Sequence, residues 1–585
     1  MKFAFRYIKP YSGWVVFTIF LKTVAAFAEL FIPYVLEYML DTAAPAEDKT
    51  ALFLGGGLML VLIIILVALN IISNTLASNT ARKVAYKVRK DLFWKSLNLS
   101  GKTFDEFGLP SITSRMTSDS YNVQDFTRMF QSFGVRAPLM LIGGIVVAFM
   151  MDKGLGLILL IIAPITVAAL IIISFKGIPL YDKVQRSLDD ITLVMRENIT
   201  GIRVVKALSK EEYEKDRFAG SNETMTKRDR KASTVMAMPG PIMTLFLNIG
   251  LVLCVYVGAV RVNAGITAPG VILAFLTYFN MILMGAMGLS RVLLMMSKCI
   301  ASANRIAAVI DKPDELLTIE DSQAANTDSD AKIVFDHVSF QYGEDSKRGG
   351  SAAFAGEDRQ KSLVDINFSI PKGGSLGIIG PTGCGKSTII NLLMRFYDTN
   401  EGHIFVDGRD IRTYGLQELR RKFGTIFQND TIFADTIEEN IKFGRNVSDE
   451  KMKSAAKDGL ASEFIEEYDD GYQHMSSAHG ANFSGGQKQR ILISRALAGD
   501  SEILIMDDSS SALDYKTDAM LRQAVRNNYS CTTIVIAQRV SSILSLDQII
   551  VMDEGRIIGI GTHEQLMANC QEYVDIYKIQ MGEEA

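Results

Sequence analysis

The segment Gly380-Pro-Thr-Gly-Cys-Gly-Lys386-Ser387-Thr388 decides how the second half of this chain folds. It follows Ser375–Ile379, an apolar run that predicts a strand, and it precedes Ile389–Phe396, which predicts a helix. A glycine-rich turn in this context is a P-loop, whose backbone N–H groups surround nucleotide phosphates at the start of a helix. Lys386 is expected to reach the β- and γ-phosphates, and the Ser387 hydroxyl to bind Mg²⁺. The residues expected to contact the nucleotide are Gly380, Thr382, Gly383, Cys384, Gly385, Lys386, Ser387 and Thr388.

Two later apolar runs predict strands that end in polar residues of catalytic interest. Ile503–Met506 leads to Asp507, which the P-loop makes the expected magnesium-binding carboxylate. Asp508 follows, where hydrolytic enzymes of this type usually carry a glutamate as general base. Thr532–Ala537 leads to Gln538, where they usually carry histidine. We therefore expect the chain to bind ATP with Mg²⁺ and to hydrolyse it slowly at its own site.

The physical reason for slow hydrolysis lies in reach and charge. An aspartate carboxylate is one methylene, about 1.5 Å, shorter than that of glutamate. A general base must lie within about 2.6–3.2 Å of the proton it removes. Gln538 can donate a hydrogen bond but cannot become cationic beside a γ-phosphate.

A second glycine motif, Phe483-Ser484-Gly485-Gly486-Gln487, precedes the predicted helix Lys488–Ala498. The serine hydroxyl, the glycine N–H groups and the helix N-terminus suit a phosphate. One bound ATP already has the P-loop, so this second anion site is expected to serve a nucleotide on another subunit. The alternative is a serine-capped helix start without a ligand.

The first half of the chain predicts membrane helices. A spanning helix needs about 20 mostly apolar residues, and six such runs in succession would leave no polar face for water. The chain has a mean hydropathy of +0.18, and its net charge of -4 does not favour a nucleic-acid partner. The runs are Trp14–Leu36, Ala51–Leu76, Phe133–Met151, Gly154–Phe175, Val235–Val260 and Ala268–Met295.

Basic residues concentrate in two long connections, Ala77–Ser132 and Lys176–Thr234, so the positive-inside rule places these connections and both termini in the cytoplasm. Apolar residues at helical spacing within them predict that the membrane helices continue beyond the bilayer. Lys102–Gly108 and Ser209–Tyr213 suit the two tips, which are natural docking points for a cytoplasmic domain.

Several residues inside the predicted spans stand out. Lys22 and Glu29 share a face of the first helix, and ionisable residues in a membrane are functional candidates unless they pair with each other or with neighbouring helices. Met281, Met284 and Met287 form a stripe that more commonly indicates packing than a ligand-lining surface. Pro239 and Pro241 are expected to kink the fifth helix.

The expected organisation is a membrane domain at residues 1–311, a linker at 312–331 and a nucleotide-binding domain at 332–585. Gly343–Lys361, rich in glycine, alanine and charge, predicts a surface loop. The fold class is therefore a membrane α-helical domain, with six transmembrane helices and long cytoplasmic extensions, joined to a cytoplasmic α/β P-loop nucleotide-binding domain.

These motifs together resemble those of ATP-binding cassette (ABC) exporters, over essentially the whole chain. Walker A (Gly380–Thr388), the signature (Phe483–Gln487) and Walker B (Ile503–Asp507) stand in the family's order. The resemblance implies that Tyr342 stacks on adenine and that Gln428, in the Q-loop, links Mg²⁺ to the membrane helices. The further matching segments are the D-loop Ser511–Asp514, with Asp514 at the nucleotide, and Glu197–Lys206, similar to the second intracellular loop.

The resemblance also implies two chains, with each ATP held between the Walker motifs of one and the signature of the other. Asp508 and Gln538 resemble the degenerate half of heterodimeric exporters, and Ala478 stands where the family usually has glutamate before the signature. The leading interpretation is one subunit of a heterodimeric ATP-driven exporter in a bacterial plasma membrane. A homodimeric exporter of low turnover and an ATP-gated channel or regulator are the alternatives, and drugs, lipids and peptides remain possible substrates.

Overall fold

The computed structural model describes residues 2–581 apart from 314–315, 321–324, 326, 328, 343–360, 429 and 509–512. The chain divides into two compact units. The first comprises Met1–Leu97 and Ile112–Lys312, and the second comprises Asn98–Ser111 and Pro313–Ala585. The predicted loop Gly343–Lys361 lies outside the described residues except for Lys361.

Long apolar helices dominate the chain up to residue 312. Among the described residues, six helical stretches are long and apolar enough to cross a membrane. Five of them contain a predicted run in full, and the sixth, Pro269–Ile310, begins one residue after the predicted Ala268, so the six predicted spans are confirmed. The helices are α1 (Lys2–Ile8), α2 (Ser12–Tyr38), α3 (Lys49–Leu97), α4 (Gly101–Phe107), α5 (Leu109–Ser114), α6 (Ser120–Phe133), α7 (Arg136–Met151), α8 (Lys153–Thr200), α9 (Ile202–Ala207), α10 (Glu211–Ala237), α11 (Pro239–Asn263) and α12 (Pro269–Ile310).

Two of these helices are much longer than a bilayer is thick. α3 has 49 residues and α8 has 48, so each is about 70 Å long at about 1.5 Å per residue. The hydrocarbon core is only about 30 Å thick. The predicted continuation of the spanning helices beyond the bilayer is therefore confirmed.

The two tips differ in how well they were predicted. The first is the short helix α4, which begins one residue before the predicted Lys102. The second prediction was wrong in its bounds. The short helix is α9, the chain turns at Ser209 with φ 51°, and Glu211–Tyr213 already belong to α10. Acidic side chains at 211, 212 and 214 favour that helix start, because negative charges interact favourably with the positive N-terminal end of the helix dipole.

The first unit is held together by packing and by polar contacts inside it. α12 packs against α2, α7 and α8, and the buried Tyr278 donates a hydrogen bond to the backbone oxygen of Leu30 at 2.9 Å. Lys22 donates to Asn70 at 2.7 Å, while Glu29 pairs with Arg136 at 2.8 Å. Lys22 and Glu29 thus each bond to a neighbouring helix and not to each other. The fifth helix is interrupted at Met238, between α10 and α11.

The second unit contains two sheets. An antiparallel sheet has the order β2-β1-β4-β5, and a larger, mainly parallel sheet has the order β10-β9-β3-β8-β7-β6. The strands are β1 (Ile333–Phe340), β2 (Leu363–Ile370), β3 (Ser375–Ile379), β4 (Glu401–Val406), β5 (Arg409–Asp410), β6 (Phe423–Ile426), β7 (Ile503–Asp507), β8 (Thr532–Ile536), β9 (Gln548–Asp553) and β10 (Arg556–Gly561).

Helices surround these sheets and bury the apolar faces of the strands. Ile378 pairs with Ile536 and Asp507 with Ile536 in the parallel register, so β3, β7 and β8 end side by side. Ligands of such sheets bind beyond the carboxyl ends of the strands. The helices are α13 (Lys386–Leu393), α14 (Leu416–Arg421), α15 (Ile437–Lys442), α16 (Asp449–Asp458), α17 (Ser462–Ile465), α18 (Gly485–Leu497), α19 (Tyr515–Asn528), α20 (His563–Asn569) and α21 (Gln571–Met581).

Candidate nucleotide site

The P-loop connects β3 to α13, as the sequence predicts. Gly385 has φ 102°, in the left-handed region, and a Cβ atom there would lie 2.7 Å from the backbone oxygen of Ser362. Only glycine fits both restrictions. α13 begins at Lys386, three residues before the predicted Ile389, because its first turn is polar and carries no apolar signal.

A cavity of about 540 Å³ lies over this loop. It brings together residues that are far apart in the sequence, from the ends of β3, β7 and β8 and from the segment after β6. The sequence-predicted residues that line it are Tyr342, Thr382, Gly383, Cys384, Gly385, Lys386, Ser387, Thr388, Gln428, Asp507, Asp508 and Gln538. Gly380 shapes the loop from behind, where a Cβ would meet the backbone oxygen of Met552 at 2.2 Å.

Oxygen-bearing side chains at one end of the cavity fit a magnesium ion. Ser387 Oγ lies 2.9 Å from Asp507 Oδ2, and hydroxyl and carboxylate oxygens are ligands that Mg²⁺ prefers. Burial raises the pKa of Asp507, and the adjacent Asp508 carboxylate raises it further. A cation at this point would relieve both effects, so the donor set suits Mg²⁺. Lys386 donates to the backbone oxygens of Gly380 and Pro381 at 2.9 and 2.7 Å.

Asp508 is held by the two amides that the sequence placed in the catalytic set. Its Oδ2 accepts from Gln538 Nε2 at 2.9 Å and from Gln428 Nε2 at 3.4 Å. Its backbone N–H donates to Ile536, and its φ of 50° lies in the left-handed region that aspartate tolerates. Burial raises the pKa of the Asp508 carboxyl. The three residues therefore form one hydrogen-bonded group at the end of the cavity.

Tyr342 connects the cavity to the first tip, α4. Its hydroxyl donates to Thr388 Oγ1 at 3.2 Å, and its ring meets that of Tyr397 edge to face at 5.1 Å. Tyr397 in turn donates to Asp105 Oδ2 of α4 at 2.6 Å. Burial raises the pKa of Tyr397, so the hydroxyl remains a donor at neutral pH. Sequence reasoning missed Tyr397 and Asp105, because nothing local to either residue indicates the other.

The signature motif lies elsewhere on the second unit. Ser484 and Gln487 form a capping box at the start of α18, with Ser484 Oγ accepting from the Gln487 backbone N–H at 3.2 Å and Gln487 Oε1 accepting from the Ser484 backbone N–H at 2.9 Å. Phe483 is buried, whereas Ser484 and Gly485 are exposed. Within the described part of the chain, none of the residues Ser484, Gly485, Gly486 and Gln487 lines the cavity.

Asp514 is also outside the cavity. It caps α19, accepting from the Thr517 backbone N–H at 3.2 Å. Of the predicted D-loop, Ser511 and Ala512 lie outside the described residues. Ala478 begins a short 3₁₀ turn that continues through His479, whose φ is 57°.

Comparison with known proteins identifies the family. Residues 15–287 match the model of the ABC transporter transmembrane region, and residues 363–511 match that of the ABC transporter. The chain is 33% identical over 589 residues to the uncharacterised ABC transporter ATP-binding protein YfiB of Bacillus subtilis, covering 100% of this chain and 99% of that protein. It is 30% identical over 583 residues to an ATP-dependent lipid A-core flippase of Idiomarina loihiensis, covering 98% and 97%.

A solved structure has the same fold. A bacterial Atm1-family ABC exporter with ATP bound superposes with a TM-score of 0.78 at 22% identity, over 99% of both chains. The six spanning helices and the relatives together identify a multi-pass membrane protein with a cytoplasmic nucleotide-binding domain. The chain therefore belongs to the ABC transporter family, whose exporters couple ATP hydrolysis to transport.

Proposed function

We propose that this chain is one subunit of a heterodimeric ATP-driven exporter. In this proposal the chain's own site binds ATP and turns it over slowly, while its signature motif completes the hydrolytic site of a second half-transporter. The observation that carries the proposal is that the two halves of an ATP site are separate and unequal, because the altered Asp508 and Gln538 bond to each other inside the cavity while the signature forms a capping box outside it. The Walker residues line the cavity, and the signature at Ser484–Gln487 is exposed away from it.

Each described element of the cavity has a role in holding nucleotide. The P-loop N–H groups and Lys386 would neutralise the phosphates, and Tyr342 would support the adenine ring. Ser387 and Asp507, with the Gln428 side chain, would hold Mg²⁺, which supplies charge neutralisation at the β- and γ-phosphates. These roles follow from the residue types that the cavity assembles.

The same geometry supports slow hydrolysis at this site. A general base needs a free lone pair directed at the attacking water. Asp508 Oδ2 accepts from two amides, which compete with an attacking water for that oxygen, and the aspartate carboxylate is about one bond length shorter than glutamate in reach. Gln538 donates to Asp508 and carries no charge that could stabilise the transferring phosphoryl group.

The exposed signature has the chemistry that a partner's nucleotide needs. The Ser484 hydroxyl accepts within the capping box and retains its own hydrogen for a phosphate. The first N–H groups of α18, a 13-residue helix, point outward from an exposed N-terminus. A homodimer would pair this serviceable signature with the altered Asp508 and Gln538 at both sites. A heterodimer places it opposite a competent general base.

For the substrate, we propose an amphiphile that contacts the lipid bilayer. Two relatives at 30% identity are named as lipid A-core flippases. This supports a lipid or another amphiphilic molecule over a soluble peptide.

The test compares the purified chain with a two-chain complex. We expect the complex with a half-transporter carrying glutamate and histidine at the positions of Asp508 and Gln538 to hydrolyse ATP at least tenfold faster than the chain alone. Equal rates per site would favour the homodimer. Ion conductance with no substrate flux in vesicles would favour the ATP-gated channel.

A further inference from the structure

Two cavities meet within the helices of the first unit. One, of about 260 Å³, lies among α2, α7 and α12, and the other, of about 530 Å³, lies among α2, α3 and α6. Phe133 and Arg136 line both, so the cavities adjoin. Arg136 is the first residue of α7, close to the cytoplasmic start of the third predicted span. The combined space is called the inner cavity below.

The inner cavity carries more positive than negative charge. In the described part of the chain, the cations that line it are Lys22, Arg128, Arg136 and Arg291, and the one carboxylate is Glu29. Arg128 pairs with Asp125 at 2.6 Å, outside the lining, and Arg136 pairs with Glu29 at 2.8 Å. Among the residues that the structure describes, the neutral Asn70 is the one hydrogen-bond partner of the buried Lys22, at 2.7 Å.

Arg291 is the most informative of these cations. In the part of the chain that the structure describes, its guanidinium forms neither a hydrogen bond nor an ion pair, and it is exposed to the inner cavity. An arginine in a spanning helix is costly unless it serves a partner or a ligand. Arg128 and Arg136 are each neutralised by a carboxylate, whereas Arg291 and Lys22 are not. The inner cavity therefore has an excess of two positive charges.

The part of the lining next to Arg291 is apolar and deformable. Met284 is 71% exposed and Met287 is 38% exposed, on the side of α12 that faces the inner cavity. Methionine side chains are flexible and fit irregular hydrocarbon surfaces. Met281 is partly buried against the apolar core of the first unit, the packing that the sequence favoured, whereas Met284 and Met287 line the inner cavity with exposed side chains. Arg291 follows Met287 by one helical turn, so a charged group and an apolar surface lie next to each other on one face of α12.

We infer that the inner cavity binds an amphiphile with an anionic head group and a hydrocarbon tail, and that this is the class of molecule the transporter moves. The inference deepens the proposed export function and rests on it. Arg291, Arg136 and Lys22 bind the head group, a phosphate or a carboxylate, by charge-assisted hydrogen bonds. The tail lies against Phe133, Met284 and Met287. Cationic amphiphiles, which the same apolar surface would accept, are repelled by the excess positive charge.

The experiment measures binding to the full chain in dodecyl maltoside micelles without ATP. The probes are dodecyl phosphate, dodecyltrimethylammonium and inorganic phosphate, and the apparent Kd comes from the rise of Tm with probe concentration. The variants are Arg291→Gln, Met284→Ser and, as a matched control, Lys298→Gln. Lys298 is exposed on the same helix and does not line the inner cavity.

We expect dodecyl phosphate to bind the wild-type chain at least tenfold more tightly than either other probe. Arg291→Gln should weaken that binding about tenfold, as expected for loss of one charge-assisted contact. Arg291→Gln should not weaken the binding of dodecyltrimethylammonium, and Lys298→Gln should leave the binding of both dodecyl probes unchanged. Met284→Ser should weaken dodecyl phosphate roughly two- to tenfold.

Three results would overturn the inference. They are equal binding of the two dodecyl probes, binding of inorganic phosphate as tight as that of dodecyl phosphate, and an Arg291→Gln chain that binds dodecyl phosphate as the wild type does. The assay involves no hydrolysis and no second subunit. A failed heterodimer proposal therefore leaves its outcome unchanged, and a failed binding result leaves the ATPase comparison intact.

Discussion

Restoring the two altered residues should restore hydrolysis at this chain's own site. Asp508→Glu extends the carboxylate by about 1.5 Å, past the position where Oδ2 accepts from Gln538 at 2.9 Å. Gln538→His then removes one of the two competing amide donors and supplies a group that can become cationic. A positioned general base contributes about 10²–10⁴-fold. We expect the double variant to hydrolyse ATP at this site at least about 100-fold faster, a lowering of the barrier by about 2.7 kcal/mol.

The assay isolates this site within the two-chain complex. The general base of the partner half-transporter is disabled by mutation, so the partner's own site no longer hydrolyses ATP. The phosphate that is still released then comes from the site built by this chain. Asp553→Glu is the matched control, because it lengthens a carboxylate of the same cavity by the same amount at a position away from Asp508. A double variant that retains bound ATP but gains no more than Asp553→Glu would refute the argument from reach and charge.

Two further predictions concern contacts within the second unit. Tyr397→Phe removes the 2.6 Å hydrogen bond to Asp105, which should lower stability by about 1 kcal/mol. In thermal unfolding, the double variant with Asp105→Ala should lose much less stability than the sum of the two single losses. Additive losses would contradict a direct contact. The hydrogen bond from the buried Lys332 lowers the pKa of Glu502 in the folded chain. The stability that this bond contributes is therefore fully present above the pKa of Glu502 in the unfolded chain, and it is lost as pH falls through the lowered pKa of the folded chain. Lys332→Met should therefore move the acid midpoint of unfolding to higher pH, and an unchanged midpoint would show that the pair does not contribute.

The sequence was sufficient where function depends on local order. The P-loop and the strand before Asp507 are contiguous patterns, and their chemistry follows from residue types next to one another. Parallel strands then bring Gly380, Asp507 and Gln538 to the same sheet edge, as their positions at strand ends imply.

Contacts between distant segments could not be predicted in the same way. Tyr397 and Asp105 are 292 positions apart, and neither lies in a pattern that specifies a partner. The pairing of Glu29 with Arg136 is similar, since the sequence shows two charges in membrane spans but not which helices adjoin. The second tip was misplaced by a few residues because Val204 and Val205 in α9 continue the apolar pattern of α8. Only the turn at Ser209 marks the reversal.

The central claim is that this chain's signature, and not its own general-base position, supports hydrolysis in the complex. The most direct measurement is the ATPase rate of the two-chain complex carrying either Ser484→Ala or Asp508→Asn. Ser448→Ala serves as control, because Ser448 caps α16 through the Lys451 N–H in the same way but lies in no nucleotide motif. We predict a loss of about tenfold or more for Ser484→Ala, from the missing phosphate donor, and less than about twofold for Asp508→Asn and Ser448→Ala. A larger loss in Asp508→Asn than in Ser484→Ala would contradict the asymmetric assignment.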